Sequence, residues 1–131
     1  MSAAGMTTPE FQLTNDSNIM NLTNLITQGT LTNNTGNTDG YVTFFGANAI
    51  TLDLAPYMTA SQTSNNAVPA LVSTLGVLLT GGNLTDATTT TLGNYVINNL
   101  PYTTPTATQM RDRVRAIVHQ IVISAEYAIQ K

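Results

Sequence analysis

Residues able to do chemistry are few in this chain, and their types narrow what that chemistry could be. His119 is the only histidine and there is no cysteine, so a cysteine–histidine dyad is ruled out. Six serines are scattered through the sequence, none in the G-x-S-x-G setting of a nucleophile elbow. Zinc would depend on His119 plus carboxylates, a poor donor set. Glycoside hydrolysis wants two facing carboxyls, and nothing in the placement of the seven acids points to such a pair. The run Thr30 to Gly40, TLTNNTGNTDG, resembles a calcium loop at a glance. Aligned on Gly40 as the turn glycine, Thr35, Asn37 and Asp39 take positions one, three and five. Gly46 then stands where the bidentate glutamate belongs, which favours a solvated loop. Gly81-Gly82 has no lysine after it and reads as a helix stop, not a phosphate loop. Arg111 and Arg115, one helical turn apart, could clamp an anion, the structural alternative being a pair with Asp112 or another carboxylate. The inventory predicts a chain that is not an enzyme, with no catalytic, cofactor-binding or metal-ligating residue and no cofactor.

These side chains have to be positioned by a helix running from Met110 to Gln130. At 100° per residue Met110, Val114, Ile117, Val118, Ile121, Val122 and Ala125 share one apolar face. Arg111 and Arg115 flank that face, with stems on apolar surface and guanidiniums in water. Asp112, Ala116, His119 and Gln120 fall on the far side. Ser124, followed by Glu126, predicts a bend and a fresh short helix.

The chain ahead of it reads as further helices. Thr14 or Asp16 caps one carrying Ile19, Leu22, Leu25 and Ile26, stopped at Gln28-Gly29. Tyr41 to Phe45 and Ile50 to Leu54 are β-branched and aromatic, and admit either a small hairpin or an extended stretch pinned to helices. Thr59 to Asn66 reads as a polar linker. Pro69 then opens a helix whose apolar face is Leu71, Val72, Leu75, Leu78 and Leu79. Thr85 caps the next, with Leu92, Val96 and Leu100 inward, Tyr95 alongside, and Pro101 closing it. The predicted fold is mainly α: a small bundle of four principal helices near 16–28, 69–80, 86–99 and 108–123, plus a short C-terminal helix. A Thr/Asn-rich loop with a short β-hairpin at 41–54 occupies part of residues 30–66. Residues 1–8 form a frayed or cloning-derived end, and 9–131 a single domain.

Composition sets the remaining bounds. Charged residues make up 8% of the chain, while Thr and Asn number 24 and 14, so polarity comes from hydroxyls and amides. Residues 1–110 hold five acids and no Lys or Arg, and the four cations cluster near the end. That leaves no basic footprint for nucleic acid. Four N-x-[ST] sites, at Asn15, Asn21, Asn33 and Asn83, are about what 14 asparagines produce by chance. No apolar run reaches the length of a membrane span. The first residues, MSAAGMTTPEF, are not a signal peptide, so either the chain stays inside or its export signal lies upstream.

Three segments carry a family resemblance: Pro9 to Asn15, Leu52-Asp53-Leu54 with Ala70 to Leu84, and Arg113 to His119 with Ser124 to Tyr127 and Gln130-Lys131. Their order and spacing resemble the carboxy-terminal part of the bacterial domain of unknown function 1800 (DUF1800) family. Ala125 replaces a common proline, and the loop from Thr30 is less charged than in such proteins. The resemblance implies helical architecture and an extracellular or periplasmic location, and it brings no site residues. The expected function is a non-catalytic helical module acting through protein–protein packing or self-assembly. Its partner is a second copy, as homo-oligomer or filament, or an upstream region of the same family. The alternative is the C-terminal fragment of a larger secreted enzyme whose active site lies mostly upstream.

Overall fold

The computed structural model describes residues 16–31 and 53–128. It is mainly helical, with no strand among the described residues. Helix α1 spans Asp16–Thr30, a single 3₁₀ turn covers Ala55–Tyr57, and α2 is one turn at Ala60–Thr63. Then come α3 (Val68–Thr80), α4 (Asp86–Asn99), α5 (Ala107–Val122) and the short α6 (Ala125–Ala128). No described helix is long and apolar enough to cross a membrane.

Local chemistry explains these boundaries. Pro69 sits in the first turn of α3, where its missing N–H costs nothing. Gly81 ends that helix in the left-handed region at φ 64°, which an L side chain resists. Thr85 caps α4 by accepting from the Thr88 N–H at 3.2 Å. Thr106 and Gln109 form a reciprocal capping box at the start of α5. Ser124 Oγ accepts from the Tyr127 N–H and starts α6 after the expected break.

Helix α5 is the hub, packed against α1, α2, α3, α4 and α6. The core is built from Leu54, Val68, Leu71, Val72, Leu75, Leu92, Val96, Val114, Ile117, Val118 and Ile121. Of the face expected on α5, Val114, Ile117, Val118 and Ile121 are buried and Met110 and Val122 are half-buried. Ala125 is exposed, because the helix breaks at Ile123 and Ser124 before reaching it. The far side is not solvated either: Asp112, Ala116, His119 and Gln120 are all half-buried on a helix enclosed by its neighbours.

Several other expectations need correction. On α3, Leu78 is 63% exposed although it was placed on the inner face. The buried arc is centred near Leu79, and at 100° per residue Leu78 lies about 100° off that centre. Leu22 of α1 is 59% exposed, because this helix is covered only towards its end, where Gly29 and Thr30 are buried. The Ile19 side chain lies outside the described residues. Helix α1 runs through Gly29 to Thr30 instead of stopping there. The linker at 59–66 contains α2, whose Thr63 is fully buried. Most of the hairpin region, 41–52, lies outside the described residues, and Asp53 and Leu54 are not in a strand.

The threonine-rich composition has a structural counterpart. Thr30, Thr63, Thr74, Thr80, Thr89 and Thr91 each donate a side-chain hydrogen bond to the carbonyl four residues earlier. A hydroxyl satisfied within its own helix can be buried without an ionic partner.

Candidate functional site

The most polar cluster inside the fold surrounds Arg113, which is fully buried. Its Nε donates to the Leu100 carbonyl at 2.9 Å. Nη1 donates to the Thr63 carbonyl, and Nη2 to Asn65 Oδ1 and again to Leu100. The guanidinium carbon stands 5.1 Å from the centre of the Tyr102 ring, a cation–π distance. Every acceptor is neutral, and no carboxylate among the described residues lies within ion-pair range. Loss of water pushes the guanidinium below its ordinary value, opposed by the Tyr102 phenol. It stays charged, as arginine does in proteins. The planar fork thus ties together the end of α2, the end of α4 and the middle of α5. That is a structural clasp, with Nε and both Nη atoms donating to the protein's own backbone and amide groups.

The proposed Arg111–Arg115 clamp does not form. Arg111 pairs with its neighbour Asp112 at 3.4 Å, the structural alternative set out above. Arg115 is buried, contrary to the solvated guanidinium expected of it, and it is not a free cation. A distinct cluster joins α6 to the start of α4. There the Glu126 carboxylate accepts from the Thr88 hydroxyl, which, with its own backbone N–H, holds it below the usual carboxylate range.

His119 lies in the last turn of α5 and faces α1, where Thr27 Oγ1 is 3.5 Å from its Nε2. Desolvation lowers its pKa from the ordinary 6.5. Its neighbour at that nitrogen is a threonine, and among the described residues no serine is hydrogen-bonded to it. Among the described residues no three of His, Asp and Glu gather closely enough to hold a metal ion. The residues compared with a calcium loop, Thr35, Asn37, Asp39, Gly40 and Gly46, lie outside the described residues. A shallow hollow of about 160 Å³ opens between the 3₁₀ turn, α2 and α3. Tyr57, Ser61, Gln62, Ala70 and Thr74 line part of it, a set that can exchange hydrogen bonds but places no acid beside a base.

No family model matches this chain, and no curated protein or solved structure is significantly similar to it. Function therefore has to be argued from the molecule's own surfaces and interior.

Arg113 was not singled out by its sequence. The one available signal was its position four residues before Ile117 and eight before Ile121, on the margin of the apolar face. Its acceptors, Thr63, Asn65 and Leu100, come from stretches without helical periodicity of their own or from a helix end.

Proposed function

We propose that this chain is a non-catalytic helical module that acts by packing against protein, and that its partner is a second copy of itself. The observation that carries this reading is the pair Val77 and Leu78, adjacent on α3 and 61% and 63% exposed. Helix α3 contains no charged residue, so nothing along it opposes burial against another apolar surface. Met20 and Leu22 add exposed apolar area on α1. The polar interior supports the same reading, since the buried guanidinium of Arg113 is occupied with holding elements together. The likeness of Arg113 to His119 and Ser124 to Tyr127 to the DUF1800 family supports membership of an exported bacterial protein, extracellular or periplasmic.

Sedimentation velocity of the purified chain, from low to high micromolar concentration in ordinary salt, tests the reading. A homo-oligomer or filament is expected, and Val77→Asn with Leu78→Asn should shift it to monomer while leaving the helical circular dichroism unchanged. A monomer at high micromolar concentration, or an oligomer indifferent to the double substitution, overturns it.

A further inference from the structure

Helix α1 has a different relation to the fold from the other long helices. It packs chiefly against α5, through its last turns, where Leu25 to Gln28 are half-buried and Gly29 and Thr30 are buried. Among the described residues the apolar core draws none from α1. All its members lie between Leu54 and Ile121, on elements that pack on one another without α1. Losing α1 would therefore uncover the outer side of α5 and leave the core itself assembled.

The seam between α1 and α5 contains one titratable ring, His119, half-buried with Nε2 facing Thr27 Oγ1 at 3.5 Å. From Met20 to Thr30 α1 has no ionisable residue, and its single acid, Asp16, stands three turns before Thr27, about 16 Å along the axis. Helices α2 and α3 have no acid or base at all. On α4 the acid is Asp86, in the first turn beside the Thr85 cap, and Tyr95 is half exposed. Glu126 of α6 is engaged with Thr88, and Tyr127 follows it. On α5 itself Asp112 pairs with Arg111 two turns back, while Arg113 and Arg115 add charge of the same sign as a protonated ring. His119 stands in the last turn of α5, where the negative end of the helix favours a proton on the ring and offsets part of its desolvation. A proton on His119 would thus be held in a half-buried seam where no carboxylate among the described residues faces it.

We propose that α1 is a pH-released strap: protonation of His119 in mildly acidic solution undocks α1 from α5 while the helices around the core stay folded. The direction follows from linkage. Burial depresses the docked ring below the ordinary 6.5, so above that value both forms are neutral and docking is at full strength. As pH falls through 6.5 the undocked form takes a proton that the docked form resists, and docking weakens until the docked value is passed. Each pH unit between the two values multiplies the released population by about ten.

Hydrogen–deuterium exchange on the whole chain at about pH 7.5 and pH 5, corrected for intrinsic rates, reads this directly. Amides of α1 should lose protection at the lower pH, about tenfold for each pH unit by which the docked ring lies below 6.5, whereas those of α3 and α5 keep theirs. In His119→Gln, which places a neutral amide there, α1 should be equally protected at both pH values. Equal protection of α1 in the natural chain at both pH values overturns the proposal, as does the same loss in His119→Gln. If His119→Gln does not fold, the ring's own NMR titration decides. A midpoint below 6.5 that moves together with α1 resonances supports the strap, and one at or above 6.5 overturns it.

Discussion

Arg113 concentrates more of the fold's specificity than any other side chain. Its fork reaches the Thr63 and Leu100 carbonyls and Asn65 Oδ1, groups contributed by two stretches of chain, one far from α5 in sequence and one at a helix end. Truncation to alanine leaves those buried acceptors without donors and opens a cavity, at a cost of about 3–5 kcal/mol. Lysine keeps the charge but presents one ammonium where Nε and both Nη atoms are used, so Arg113→Lys should fall between alanine and the natural residue. Arg111→Ala removes only a partly exposed pair and should cost about 0.5 kcal/mol. Urea denaturation of the three variants checks the order. A sequence reader has little chance of finding this residue, because three arginines at alternate positions look equivalent until neighbours are placed around them. Arg111 is the one that stays partly in water, and Arg113 and Arg115 are enclosed.

At the level of elements, helix positions were legible because their ends are marked by cap chemistry. Pro69, Gly81, Thr85 and Thr106 each do locally what their types predict, and the observed helices begin or end beside them. Helix α2 was not legible: a single turn in a polar stretch has no periodicity, and its burial depends on Arg113 reaching Thr63. Leu22 and Leu78 were assigned inward because apolar spacing gives a stripe but not the width of the surface that will cover it. Two helical glycines separate propensity from packing. A methyl on Gly93 would stand 3.9 Å from the Pro69 Cα, ordinary contact, so Gly93→Ala should stabilise by about 1 kcal/mol. On Gly76 the same methyl would come within 2.7 Å of Leu84 Cδ2, a side chain packed on the core. Overpacking there outweighs the helical gain, and Gly76→Ala should destabilise by about 1 kcal/mol. Thermal melts followed by circular dichroism should move in opposite directions.

For the whole molecule, the decisive choice is which side of α5 faces the core. Val118 is 2% exposed, between Ile117 and Ile121, which are fully buried. Val118→Asp buries an unpaired carboxylate at a cost of several kcal/mol, comparable with the entire stability of a small domain. Gln120 is half-buried, and Gln120→Asp should cost on the order of 0.5 kcal/mol. Equal melting of the two variants would contradict the orientation of the hub. That orientation was readable from spacing alone, since four of the seven residues assigned to the inner face are buried. The enclosure of the opposite side was not, because a polar surface of Asp112, His119 and Gln120 gives no hint that α1 will come to rest against the helix.

The hub is also the last long helix in chain order, and this affects how the protein is made. Helix α3 leaves the ribosome with apolar residues around most of its circumference, and its covering surface on α5 follows roughly forty residues later. At translation rates of about 5–20 residues per second, that interval is on the order of 2–8 s. Throughout it Val72 and Leu75 have only the nascent α4 to meet, and the carbonyls at Thr63 and Leu100 wait for a guanidinium not yet synthesised. A nascent chain of this order stays uncommitted until α5 emerges, and in that window it is a natural client for whatever shields apolar segments at the tunnel exit.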